Sequence, residues 1–225
     1  KVVHVVLSYQ AMPVALMIFD CDGVLVDSEP LANRILSECF QDAGFPIDYD
    51  TCISTMVGLS LQACFKIAEE WNNKLLPADF FNTVQNRTYL AIRDELQPIP
   101  GVLGAIEAIP LPRCVASSSE HGKIELCLNK TGLAPLFEDN LFSAHQVARG
   151  KPFPDLFLFA AREMGFKPNN CVVIEDSPYG AAAARAAGMT VFGYTGSGFA
   201  EKLADEGAHI FDNMEELPQL LGFAR

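Results

Sequence analysis

Apolar positions along this chain follow two different rhythms. Around residues 15–19, 113–116, 140–143, 171–174, 190–193 and 208–211, short apolar runs are bounded by turn residues, the pattern of strands covered on both faces. Helical periodicity separates several of them, at residues 123–128, 155–164 and 180–187. Strand alternating with helix predicts an α/β fold, a doubly wound parallel sheet with residues 15–19 at its centre. From Pro30 to about Pro98 the rhythm changes: no strand alternation persists, and helical spacing recurs at residues 31–43, 61–71 and 78–96. This predicts an all-helical insertion joined by connectors near residues 26–29 and 97–101, the second stiffened by Pro98 and Pro100. The expected organisation is a core of residues 12–27 and 99–225, a helical unit of residues 28–98, and an extension, residues 1–11, of unknown role.

The apolar stretch from Val2 to Leu7 is too short, and too soon interrupted by Ser8, Gln10 and Pro13, to span a membrane. A core strand follows almost at once, which argues against a signal peptide; Met12 is read as the natural start, and His4 as incidental.

Composition narrows the picture further. A chain of 225 residues, 50% hydrophobic, can build a large core and carry an insertion. Its net charge of -12 argues against nucleic acid or an anionic membrane as partner, since both reward clustered Lys and Arg. Seven cysteines are odd in number, form no Cys-x-x-Cys pair and fall mostly in apolar runs. They read as small core hydrophobes in a reducing cytoplasm. The glycines of 193–198 lack the spacing and trailing acid of a dinucleotide fingerprint, so a strand-to-helix loop is expected there. Nothing in the sequence sets an oligomeric state, and a monomer is compatible with it.

The candidate chemistry lies where strands end. Phe19-Asp20-Cys21-Asp22-Gly23 closes the first apolar run with two carboxylates spaced i, i+2, which strand alternation would send to one side. Two like charges that close imply a metal ion, a shared proton or a division of labour between nucleophile and acid, although an acidic turn has the same letters. Residues 111–116 run into Ser117, Ser118 and Ser119, whose exposed hydroxyl and following helix start can hold an anion; Ser117 as a local cap is the plainer alternative. Lys151 sits in a loop stiffened by Pro152 and Pro154, either as a site cation or as a solvated charge. Cys171 to Ile174 ends in Glu175 and Asp176, site carboxylates or acids favoured at a helix start, followed from Gly180 by a helix of small residues. Singly, each plain alternative is the better reading; four such groups together, all at strand ends or beside helix starts, favour one site.

The combination Asp20-x-Asp22-Gly23-Val24, Ser117, Lys151-Pro152 and Glu175-Asp176 resembles the four motifs of the haloacid dehalogenase superfamily of phosphotransferases. The wider wording of residues 22–30 and 174–180 is similar to the branch of β-phosphoglucomutases and small sugar phosphatases. The resemblance implies that Asp20 is the nucleophile, forming an aspartyl-phosphate, and Asp22 the general acid and then base. It implies that Ser117, Ser118 and Lys151 bind the phosphoryl oxygens, and that Asp20, Asp22 through its backbone carbonyl, Asp176 and Glu175 hold Mg²⁺. The helical insertion would be a cap over the site. The activity implied is a Mg²⁺-dependent phosphatase of a small phosphorylated metabolite, cytoplasmic, with no nucleic-acid or membrane partner.

Two other readings stay open beside it. A β-phosphoglucomutase-like mutase would place His, Arg and Lys in the cap; here those positions fall on Ala32, near Leu61 and on Gln85, leaving Arg87 and Arg93 as other cap cations able to contact an anion. A phospho-receiver switch also joins a doubly wound sheet to clustered acids and a Lys, but is shorter and has no insertion after its first strand. Phe65, Trp71, Phe80, Phe81 and Tyr89 either line a substrate pocket or fill the cap's core, helical spacing favouring the second.

Overall fold

The computed structural model describes residues 14–196 and 198–223. Extension residues 1–11 lie outside the described residues. Six strands, β1 (Leu16–Phe19), β2 (Arg113–Ser117), β3 (Leu141–Ser143), β4 (Cys171–Glu175), β5 (Thr190–Tyr194) and β6 (His209–Phe211), form one sheet in the order β3-β2-β1-β4-β5-β6. Every neighbouring pair is parallel. The expected doubly wound sheet is present, with β1 inside it.

All four residues of β1 are buried, because helices cover both faces. Met17 and Phe19 pack into the layer of α5 (Val102–Ala108), α6 (His121–Lys130) and α10 (Leu217–Leu220). Leu16 and Ile18 face the opposite layer of α7 (Asp155–Glu163), α8 (Pro178–Ala186) and α9 (Ala200–Asp205). The period of two in a strand thus splits one apolar run between two cores.

Between β1 and β2 the chain makes α1 (Ser28–Asp42), α2 (Tyr49–Met56), α3 (Leu61–Asn72) and α4 (Phe80–Glu95). They bury a separate cluster in which Phe40 stacks on Phe80 at 5.3 Å between ring centroids and Phe65 meets Phe80 edge-on at 5.1 Å. Helix α2 was not expected from periodicity. It has eight residues, carries Thr51, Ile53 and Thr55, and starts on the Asp48 side chain, which accepts from the Thr51 backbone N–H at 2.9 Å. So short a β-branched segment has little helical preference of its own; the cap and burial of Cys52 and Met56 supply it. The two connectors run side by side: Asp27 N–H donates to Gln97 at 3.0 Å, and Ile99 N–H to Leu25 at 3.0 Å.

All seven cysteines are free and buried, in line with the reading as core hydrophobes. Among the described residues no single helix is long and apolar enough to cross a membrane.

Candidate active site

The chain leaves β3 for β4 by passing to the far side of β1, so the strand order reverses around β1. In such sheets the crevice at the carboxyl ends of the strands flanking the reversal binds ligands. Asp20 follows β1, Ser117 ends β2, and Glu175 and Asp176 close β4, all at that edge.

The side-by-side placement of Asp20 and Asp22 does not come from strand alternation, as expected above. β1 stops at Phe19, and the chain turns: Leu25 and Val26 N–H both donate to the Cys21 carbonyl, and Gly23, at φ 75°, donates to Val26. A positive φ is what glycine tolerates at such a tight reversal. The turn gives the two carboxylates separate surroundings.

Asp20 is buried against Lys151, whose Nζ lies 2.9 Å from Asp20 Oδ1 and 2.5 Å from Glu175 Oε1. With a side chain only 4% exposed, Lys151 is a buried charge and not a solvated loop cation. Its Nζ also lies over the Phe157 ring, 5.1 Å from the centroid. Burial pushes the Asp20 carboxyl up to about 7, against the pull of Lys151, with Glu175 and Asp22 adding to the rise. Burial also works to discharge Lys151, but Asp20 and Glu175 outweigh it and hold the ammonium above its ordinary range.

Glu175 is placed by its neighbours on the chain. Its Oε2 accepts from the N–H groups of Asp176 and Ser177, at 3.0 and 2.9 Å, and from Ser177 Oγ at 2.9 Å. Ser177 in turn caps α8 by accepting from Gly180 N–H at 3.0 Å, with Pro178 in the first turn. One carboxylate thus joins the start of α8 to Lys151.

Asp22 is tied by three groups. Lys123 Nζ is 3.0 Å from each of its oxygens, Ser28 Oγ donates to Oδ1 at 2.6 Å, and Ser119 Oγ donates to Oδ2 at 2.7 Å. Burial works to raise this carboxyl; Lys123, Ser28 and Ser119 overcome it and hold Asp22 below the usual carboxylate range. Lys123 and Ser28 were not singled out from the sequence, and Ser119 was named only among the hydroxyls after β2. Lys123, in the first turn of α6, also donates to Ser119 Oγ at 3.1 Å, four residues earlier in the chain.

Ser117 is also buried, not exposed as expected. Its Oγ accepts from Ser119 N–H at 3.1 Å, while Ser143 Oγ donates to the Ser119 carbonyl at 2.7 Å, so both side chains shape the turn into α6. Ser118 is the exposed hydroxyl of the three.

Asp20, Glu175 and Asp176 each offer an oxygen within 4.8 Å of the other two. Three carboxylates and one neighbouring ammonium leave an excess of negative charge in a buried place, and Asp20 Oδ1 has no partner in hydrogen-bond geometry. An all-oxygen donor set of this kind fits a hard divalent cation.

The cap residues divide. Phe65 and Phe80 fill the cap's core and Phe81 packs on Phe65, its ring centroid 6.4 Å away, whereas Trp71 is 53% exposed. Tyr89 leaves α4 to donate to Glu120 at the start of α6, and burial followed by Glu120 pushes its hydroxyl up to about 12. Arg87 is held by Asp42 and Glu38, at 2.6 and 2.8 Å, and Arg93 by Asp94 at 2.8 Å.

A model of the haloacid dehalogenase-like hydrolases matches residues 14–188. The chain is 30% identical over 203 residues to the 6-phosphogluconate phosphatase of Escherichia coli K12, covering 90% of this chain and 92% of that one. It is 31% identical over 185 residues to the fructose-1-phosphate phosphatase YqaB of the same organism, covering 77% and 92%. Among solved structures, a HAD family hydrolase from Deinococcus radiodurans R1 with bound phosphate and sodium superposes with a TM-score of 0.81 at 31% identity, covering 95% of this chain and 98% of that one. The protein is a member of the haloacid dehalogenase-like hydrolase family.

Proposed function

We propose that this hydrolase is a Mg²⁺-dependent phosphatase of a small phosphorylated metabolite, a sugar phosphate or sugar-acid phosphate, working through an aspartyl-phosphate on Asp20. The observation that carries the reading is Asp20 buried beside the Lys151 ammonium and two further carboxylates at the carboxyl edge of the sheet. Relatives named for phosphatase activity on phosphorylated sugars and sugar acids agree with it. The seven free, buried cysteines support residence in a reducing cytoplasm.

Asp20, Asp176 and Glu175, with the backbone carbonyl of Asp22, would hold the metal, which when bound neutralises phosphoryl charge. A carboxylate oxygen of Asp20 attacks phosphorus and the substrate's alcohol leaves. Lys151 keeps positive charge against the phosphoryl oxygens, and the turn carrying Ser117 and Ser118 presents donors to them. Asp22 delivers the proton to the leaving alkoxide, then withdraws one from the water that attacks the aspartyl-phosphate, releasing phosphate and restoring Asp20. Held by Lys123, Ser28 and Ser119, Asp22 is set for the second, proton-accepting role. The first role needs it protonated, which these same contacts oppose.

The mutase reading has less support, because Arg87 and Arg93 are occupied by cap carboxylates. The receiver reading has less again, since five helices, α1 to α5, separate β1 from β2.

The test is phosphate release from p-nitrophenyl phosphate and a panel of phosphorylated sugars and sugar acids, with Mg²⁺ and with chelator, by wild type, Asp20→Asn and Asp22→Asn. Turnover that needs Mg²⁺ and disappears in Asp20→Asn is expected, with Asp22→Asn still phosphorylated by good leaving groups but slow to lose the phosphoryl group. Undiminished turnover by Asp20→Asn would remove the assignment.

A further inference from the structure

We infer that the substrate carries its charge at the phosphoryl group alone, and that the part facing the cap is a neutral, polyhydroxylated body. This rests on the phosphatase reading above and narrows it to neutral sugar or polyol phosphates, against sugar acids and bisphosphates.

Residues 28–98 contain five cations, Arg34, Lys66, Lys74, Arg87 and Arg93, and no histidine. Each cation is engaged within the cap. Arg34 donates to Glu38 at 2.9 Å and to Glu95 at 2.7 Å, and Arg87 to Glu38 at 2.8 Å and Asp42 at 2.6 Å. Arg93 makes two bonds to Asp94, at 2.8 and 3.2 Å. Lys74 donates to the Ala43 carbonyl at 2.9 Å and stands 4.8 Å from the centre of the Phe45 ring. Lys66 is the loosest, 3.8 Å from Glu70.

A carboxylate or second phosphate at the distal end of a substrate would have to draw one of these cations from its partners, leaving Glu38, Asp42 or Asp94 unpaired. These pairs are largely exposed and each is worth little, but every carboxylate that gives up its cation is left unpaired, so the exchange gains nothing in charge. On the core side, Lys151 is enclosed by Asp20 and Glu175, and Lys123 already spans both oxygens of Asp22. The phosphoryl end meets Lys151 and the metal, and Asp22 beside them, with Lys123 already bound to it, offers no cation to a second anion. Hydroxyl groups carry no such penalty, and can donate to carboxylates.

The experiment compares kcat/KM at saturating Mg²⁺ within two matched pairs. Glucitol 6-phosphate and 6-phosphogluconate differ at one end by a hydroxymethyl against a carboxylate; fructose 1-phosphate and fructose 1,6-bisphosphate differ by a second phosphate. p-Nitrophenyl phosphate serves as the reference for phosphatase activity itself. The neutral member of each pair should be favoured about tenfold or more, a difference of about 1.4 kcal/mol. Turnover of p-nitrophenyl phosphate with the sugar acid or bisphosphate equal or preferred overturns the inference and leaves the phosphatase reading standing. No turnover of any compound overturns both. Lys66→Met should leave the pair ratios unchanged; a selective loss of activity on 6-phosphogluconate in that variant would show that a cap cation reaches the substrate, and would also overturn it.

Discussion

The Glu175 carboxylate occupies the space that a side chain on Gly180 would need: a Cβ there would lie 1.8 Å from Glu175 Oε1 and 1.9 Å from its carboxyl carbon. That same Oε1 accepts from Lys151. A missing methyl group in the first turn of α8 therefore fixes where the ammonium beside Asp20 can stand.

Gly180→Ala sets two effects against each other. Helix propensity alone favours Ala by about 1 kcal/mol, whereas the overlap with a buried carboxylate costs about 1–3 kcal/mol and displaces Lys151. The clash should win, lowering the denaturation midpoint and cutting phosphate release at least about tenfold. Denaturant titration and initial rates check both; a stabilised variant with full turnover would show that Glu175 can shift freely.

Lys123→Met removes the ion pair on Asp22 while Ser28 and Ser119 remain. Because both partners are about a quarter exposed, at 25% and 27%, the loss should be nearer 1–2 kcal/mol than the roughly 3–5 kcal/mol of a fully buried pair. With Asp22 less firmly oriented, kcat should fall while KM changes little, and Lys123→Arg should recover part of the rate. Unaltered kcat in Lys123→Met would mean that the two serines suffice.

The sheet was legible because a parallel strand buried on both faces must be apolar throughout, so β1 and β4 stand out beside their terminal acids. Asp20, Glu175 and Asp176 could be brought together from the order of strand ends, whereas Lys151, in the loop before α7, joined them only through the four-motif resemblance. The turn at Gly23 could not, since the spacing i, i+2 fits strand and turn alike, and only the positive φ separates them. Lys123 was hidden for another reason: a lysine on an amphipathic helix is usually solvated, and its partner lies 101 residues earlier in the chain. Helix α2 was missed because its stability comes from Asp48 and the cap's core, which local sequence does not express.

Asp20 should make the metal-free protein sensitive to pH. A carboxyl raised from 3.8 to about 7 in the folded state binds its proton more tightly there than when unfolded. Its contribution is fully present below about pH 4 and is lost as pH rises through about 7, on the order of 2–4 kcal/mol. Denaturation at about pH 5 and about pH 8 should therefore show wild type losing stability relative to Asp20→Asn as pH rises, with Mg²⁺ restoring it at the higher pH. A difference independent of pH, or insensitive to Mg²⁺, would mean that Asp20 is not strained by its charge.

Two contacts between the cap and the core, apart from the connectors, set the last expectation. Gly58, at φ 79°, leaves room for Phe199 from the loop after β5; a Cβ there would lie 3.2 Å from the ring. On the α4 side Tyr89 donates to Glu120, and Lys130 Nζ donates to the Asp94 carbonyl at 2.8 Å. If these contacts hold the cap over the site, as proposed, it would exclude bulk water from an aspartyl-phosphate and leave little passage for a polymer. Sugar phosphates of about hexose size should thus exceed phosphopeptides in kcat/KM by at least about a hundredfold, or roughly 2.7 kcal/mol. Phe199→Ala and Tyr89→Phe should each narrow that ratio, chiefly by raising KM for the small substrate, and together should narrow it further. Parallel assays at equal Mg²⁺ decide the matter, and a wild-type preference for phosphopeptides would show that these two contacts do not close the site.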